Sequence, residues 1–220
     1  QYSVINNSNY ANAKGFEISI QKRYSSYFSA NLNYTFLIAK GNENTSREGV
    51  RNFWGTTNDR LRPRRDFYLN WDRRHTIGGD INILFPKGQG PRILGKRILG
   101  GTQLSLLFQV KSGLPYTPTQ RATGNWDYWL RILQTNTSRR PWTYQIDADF
   151  TKTLKFGGST FSLFIRTINL LNTDNALWVY TNTGRLWDAG PQNNRSQDFI
   201  RDPNAKGPPR EIRLGIRVGM

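Results

Sequence analysis

An antiparallel β-sheet closed into a transmembrane barrel is the all-β fold class this sequence predicts, and three observations predict it. Apolar and polar residues alternate with period two in seven stretches, the pattern of strands with one apolar and one polar face. The connections alternate in length, shorter ones with long ones rich in Asn, Arg, Gly and Pro. Aromatic residues crowd the strand ends, where amphipathic rings form the girdles of membrane barrels. Composition agrees: of 220 residues, 36% are hydrophobic, low for a soluble core, and 13% are aromatic, which is high. A sheet with one face in lipid and one in water reconciles the two figures.

The strands follow in order. In the first, Phe16, Ile18 and Ile20 oppose Glu17, Ser19, Gln21 and Arg23. In the second, Phe28, Ala30, Leu32, Tyr34 and Phe36 oppose Ser29, Asn31, Asn33 and Thr35, and the short link makes a tight hairpin. The third, 74–85, sets Ile77, Ile81, Ile83 and Phe85 against Asp80 and Asn82, with Gly78-Gly79 predicting a bend or bulge. The fourth, 102–111, carries Leu104, Leu106, Phe108 and Val110 on one face. The fifth, 142–154, carries Tyr144, Ile146, Ala148 and Phe150, and a tight turn at 155–158 leads to the sixth, with Phe161, Leu163 and Ile165. The seventh ends the chain with Ile212, Leu214, Ile216, Val218 and Met220 opposite Arg213, Gly215, Arg217 and Gly219.

Segments 41–71, 113–141 and 172–209 are the long connections, while 24–27, 86–101 and 155–158 are shorter. In an antiparallel meander alternate connections share an end, so the long ones cluster as extracellular loops and the others as periplasmic turns. A β-sandwich shares the alternation, but structureless loops of about 25–35 residues are uncommon in compact soluble domains. Polar faces this rich in Asp, Asn, Gln and Arg suit a wide barrel around a plug or water. Seven strands place the C-terminus on the periplasmic side and residue 1 outside. Bacterial barrels have even strand numbers, and unpaired edges in lipid are costly. Residues 1–220 are therefore expected to be the C-terminal segment of a larger barrel, with strands upstream of Gln1. The opening Gln1-Tyr2-Ser3-Val4 lacks a signal-peptide pattern, and no run of about 18 apolar residues forms a transmembrane helix.

Chemistry-bearing motifs are few. Without Cys and with His75 as the one histidine, no disulfide, metal site or Ser-His-Asp centre is expected. No cofactor and no enzymatic activity are expected. Asp147 and Asp149 share a face; a carboxylate dyad is one reading, a lumen-facing pair meeting a plug or a neighbouring Arg the other.

The formal net charge is +16. Among the loop arginines, Arg62, Arg64, Arg65, Arg139 and Arg140 are candidates for lipopolysaccharide phosphates or an anionic ligand. The alternative is solvation and loop-to-loop pairing with Asp59, Asp66 and Asp72. Nucleic acid is not expected, because no recognition fold accompanies the charge. Trp126, Tyr128, Trp129, Trp178 and Tyr180 are candidates to stack on a ligand ring, with loop packing as the alternative. The segment 178–180 either continues the sixth strand or makes a short hairpin.

Several segments resemble the C-terminal barrel of TonB-dependent receptors, nearest to those with an N-terminal carboxypeptidase-regulatory-like domain. They are Ala13-Lys14-Gly15-Phe16-Glu17 with Gln21-Lys22-Arg23, Asn33-Tyr34-Thr35, Trp71-Asp72-Arg73-Arg74-His75, Ser112-Gly113-Leu114-Pro115-Tyr116-Thr117-Pro118, Asn169-Leu170-Leu171-Asn172 and Pro209-Arg210-Glu211-Ile212-Arg213-Leu214-Gly215. Their order and spacing match across nearly the whole chain. The resemblance implies a barrel of about 22 strands around an upstream plug. It implies import of a scarce or large solute across the outer membrane, driven through a TonB-type periplasmic protein, with a surface lipoprotein as a further partner. A structural or scaffold barrel within a larger outer-membrane complex is the alternative. One departure is Met220, where such receptors end in an aromatic residue.

Overall fold

The computed structural model of the chain describes residues 10–44, 66–92, 94–121, 129–131, 135–190 and 201–219, with backbone alone at 120–121 and 129–131. Its body is seven long strands: β1 Ala11–Ser25, β2 Phe28–Gly41, β3 His75–Phe85, β4 Thr102–Lys111, β5 Thr143–Phe156, β6 Ser159–Ile168 and β7 Glu211–Gly219. Each pairs antiparallel with the next, so the sheet is the expected meander, open between β1 and β7.

Register gathers the apolar positions onto one face. Ile20 pairs with Leu32, Leu32 with Gly79, Gly79 with Phe108 and Phe108 with Ile146. Further along, Phe150 pairs with Ile165 and Ile165 with Leu214. A slip of one residue would turn any strand's apolar set to the other face. That face is not a core. Ile20 is 61% exposed, Ile216 67% and Leu214 73%. Buried apolar side chains among the described residues are Ala39, Leu69, Ala176, Val179, Ala189 and Ala205, none at the middle of a strand. A continuous apolar surface of this extent is foreign to a soluble monomer.

The band has the height of a bilayer's hydrocarbon. Tyr144 and Phe156 mark its two ends on β5; at ~3.3 Å per residue they stand ~40 Å apart along the strand. A tilt of about 40° reduces this to roughly 30 Å. Rings rim both ends. At the turn end Tyr27 lies 5.1 Å from Phe85, and the Tyr24 hydroxyl donates to Leu84 O at 3.0 Å. At the loop end a chain of rings runs across the strands: Phe16–Phe36 at 5.5 Å, Phe36–His75 at 5.3 Å and His75–Trp142 at 5.7 Å.

Two turns are two-residue hairpins with both residues at positive φ, Ser26 and Tyr27 (52° and 71°), and Gly157 and Gly158 (56° and 84°). This geometry matches the strands' twist. Glycine adopts it freely; at Ser26 and Tyr27 it costs about 1 kcal/mol or more per residue. Lys22 offsets that cost. Its Nζ donates to Ser25 O at 2.9 Å and Phe28 O at 3.1 Å, and sits 3.8 Å above the Phe28 ring.

The bend expected at Gly78-Gly79 is absent: register runs unbroken through both residues. Gly79 instead makes room, since a Cβ there would lie 2.3 Å from Asn31 O and 2.7 Å from Phe108 Cζ. A register shift falls in β1, between Lys22 and Ser25. The long connections are also not structureless. Phe67–Tyr68 pairs with Lys40 and Gly41, Pro115–Tyr116 with Ser138–Arg139, and Thr119–Arg121 with Trp129–Arg131. Such pairs are too short to display a period of two. A 3₁₀ turn at Pro203–Ala205 is capped by Asp202, whose carboxylate accepts from Asn204 N.

Candidate functional site

The polar face is a hydrogen-bonded network. Asn31 and Asn82 both donate to Asp80, at 3.0 and 2.7 Å. Arg166 meets Asp149 at 2.8 Å, while Asp147 accepts from Gln145 and, at 2.9 Å, from Asn169 N. The two aspartates thus serve separate donors, one of them the neighbouring arginine that the lumen-facing reading calls for. All three long connections leave this sheet at the end opposite the tight turns.

Asp72 joins two of those connections. It follows a turn closed by its own N–H on Leu69 O at 2.8 Å, and its side chain is fully buried. One carboxylate oxygen accepts from Ala39 N at 2.9 Å; the other accepts from Arg139 Nη2 at 2.7 Å and lies 3.8 Å from Arg74 Nε. Arg139 Nη1 also donates to the carbonyls of Asp72 and Gly113. Next in sequence, Arg73 donates to Ser112 O at 2.9 Å, and the Ser112 hydroxyl accepts from His75 N at 2.9 Å. The Trp71–His75 and Ser112–Pro118 segments are therefore two halves of one lock.

Tyr68 stands beside it among three cations. Lys40 Nζ is 4.8 Å from the ring centroid, and the guanidinium carbons of Arg74 and Arg139 are at 5.0 and 5.3 Å. A ring quadrupole attracts such charges. Hydrogen bonding with Arg74 holds the phenol below its ordinary pKa; partial burial opposes this, and the charges of Lys40, Arg74 and Arg139 reinforce it.

A cavity of about 290 Å³ opens on the polar face at this end. Gln109 and Lys111 of β4 face Gln145 and Thr143 of β5 across its floor, while Arg73, Arg140 and the 169–177 and 207–208 segments wall it. Asn169 and Asn172, both at positive φ, turn the chain out of β6. Asn169 donates to Thr173 O and Pro208 O, both at 3.1 Å, and the Asn172 side chain accepts from Arg210 N, so this motif ties β6 to the start of β7.

The residues singled out in the sequence divide as follows. Arg139 is committed to Asp72, the loop-to-loop alternative. Arg140 reaches the cavity and donates to Leu177 O. Trp178 and Tyr180 contact each other edge to face at 5.1 Å. Their segment does not continue β6, which ends at Ile168, but enters a turn closed by Tyr180 N on Arg185 O. Trp129 pairs through its backbone with Arg121, and its side chain is not described. Trp126, Tyr128, Arg62, Arg64 and Arg65 lie outside the described residues. Sequence reasoning missed Lys111 and Tyr68 as members of the site, whereas Arg73 stands out in sequence as a basic loop residue within the Trp71–His75 segment. Strand parity places Lys111 on the polar face; nothing local marks Tyr68.

Residues 1–134 match a family model described as an outer membrane beta barrel domain. No curated protein and no solved structure matches the chain. The family match covers more than half of the chain, and the bare apolar face, the aromatic rims and the one-ended loops are what such a barrel requires. The chain therefore belongs to the outer membrane beta barrel domain family.

Proposed function

We propose that this chain forms the C-terminal wall and the outer mouth of a TonB-dependent receptor that imports a scarce or large solute. The observation that carries this reading is the lock at one end of the sheet. Three of the segments that resemble TonB-dependent receptors, at 71–75, 112–118 and 169–172, hold the long connections together: Asp72 on Arg139, Arg73 on Ser112, and Asn169 on Pro208. A mouth held in fixed shape above a polar, hydrogen-bonded wall suits selective admission. The remaining strands and a plug lie upstream in this reading. The long loops face outward toward lipopolysaccharide, the C-terminus faces the periplasm, and coupling runs through the plug to a TonB-type protein. A surface lipoprotein over the mouth is a further partner. The chain needs no catalytic group for this role.

The test compares the wild-type cell with two deletions, one of the full gene and one of the energy-coupling protein, by solute depletion from a defined complex medium. The expected result is a solute left behind in both deletions. Equal depletion in all three strains, together with collapse of an outer-membrane complex in the gene deletion, would replace import with the scaffold role.

A further inference from the structure

Arg73, Lys111 and Arg140 line one cavity of about 290 Å³ on the polar face, and no carboxylate is among its lining residues. The first aspartate further along β5, Asp147, is engaged by Gln145 and Asn169 N. The ion pairs among the described residues include none of the three cations. The Lys111 ammonium makes no hydrogen bond among the described residues, although the side chain is half-buried. Arg73 and Arg140 each place one N–H on a loop carbonyl, Ser112 O and Leu177 O. The Nε of Arg140 is buried without any partner. Burial lowers the pKa of Arg73, and the charge of Arg140 lowers it further. Three like charges held together with donors to spare are costly unless an opposite charge joins them.

We propose that this cavity is an anion site, in which Arg73, Lys111 and Arg140 receive the phosphate or carboxylate group of a small solute. Arginine forks suit planar or tetrahedral oxyanions, and the lysine adds a mobile point charge. The floor supplies a neutral donor in Gln109, paired across β4 and β5 with Gln145, while Asn175 holds part of the wall. Lys111 sits on a regular strand, while Arg73 and Arg140 come from the flanking connections, so the barrel wall and the locked loops place the charge together. As a statement about cargo, this rests on the import reading; as a statement about binding it does not.

The test is titration calorimetry on the full natural chain purified in detergent, with inorganic pyrophosphate and citrate as probes and glucose as a neutral control. The expected result is saturable binding of at least one anion, weakening as salt rises, with no heat from glucose. Lys111→Gln should weaken it about tenfold, the scale of one charge-assisted hydrogen bond. Because Lys111 makes no bond to lose, that variant keeps its fold. Arg140→Lys should fall between wild type and Arg140→Gln. Absence of saturable anion binding by the full chain would overturn the proposal, including the case in which a carboxylate of an upstream segment fills the cavity. Binding unchanged by Lys111→Gln and Arg140→Gln would overturn it as well. Loss of energised uptake with binding intact would sink the import reading alone.

Discussion

Replacing Asp72 by Ala tests whether the loop-end lock is held by a buried charge. Two losses follow. Ala39 N, bonded at 2.9 Å in a buried position, loses its acceptor; an unsatisfied buried donor costs about 1–3 kcal/mol. Arg139 loses its carboxylate at 2.7 Å, and breaking a buried ion pair from one side costs about 3–5 kcal/mol. The lower figure applies, because the Arg139 side chain is 28% exposed and keeps its bonds to the carbonyls at positions 72 and 113. With about 1 kcal/mol for the orphaned donor and about 3 kcal/mol for the pair, a net loss of about 4 kcal/mol opens the lock ~10³-fold more often. The assay is hydrogen–deuterium exchange on detergent-purified full chain, followed at the peptide containing Ala39. Asp72→Asn should lie between, because its amide oxygen still accepts one bond. Arg139→Ala should accelerate the same amide, and the double variant should fall short of the sum of the singles. An Ala39 amide that exchanges within about threefold of wild type in Asp72→Ala would refute the lock.

Three other outcomes follow from the same geometry. Because Tyr68 has a folded pKa below its unfolded value of about 10, the unfolded state binds more protons between the two, and stability rises with pH across that window. An ultraviolet phenolate titration should show one tyrosine ionising early, absent in Tyr68→Phe; coincident curves would refute the cage. Gly79→Ala should destabilise the barrel by about 1–3 kcal/mol in urea unfolding, whereas Gly78→Ala, whose Cβ would meet its nearest atom at 3.8 Å, should be close to neutral. Lys22→Met should release the Ser26–Tyr27 turn and speed amide exchange at Phe28 by about fivefold, the scale of a ~1 kcal/mol clamp.

Strand order and facing were legible because a period of two is a collective signal: each long strand repeats it over several residues, and one face meets a single solvent. The short pairs in the long connections escaped for the opposite reason, since two residues such as Phe67 and Tyr68 have no period. The Gly78-Gly79 reading failed on a point that only pairing reveals. A glycine in a strand marks a bend or a close approach, and the register of Gly79 opposite Phe108 decides for the latter. The site was legible as motifs but not as contacts. Trp71–His75 and Ser112–Pro118 are nearly forty residues apart, and nothing local in either says that Arg73 donates to Ser112 O or that Asp72 meets Arg139.

The excess of basic residues, 31 against 15 acidic, reads differently once its partners are placed. In sequence it reads as charge awaiting a polyanion. In the fold, many of these cations cap backbone instead. Lys22 holds the carbonyls of the first turn, and Lys152 reaches Ile98 O and Gly100 O, both at 2.7 Å, in the second. Arg73, Arg139 and Arg140 do the same at the loop end. A meander leaves unpaired carbonyls wherever a strand stops, and a membrane-spanning sheet stops all its strands at two levels. Long basic side chains can lie along apolar surface while their heads reach those levels. Asp and Glu have no donor to offer a carbonyl, so among charged residues only the basic ones can join Tyr24 and Asn169 in this role, and the architecture favours the imbalance. Lys111 breaks the pattern: it stands at the same level and makes no hydrogen bond among the described residues. A cation that caps nothing, at a level where its neighbours cap carbonyls, carries a charge that the described fold does not require.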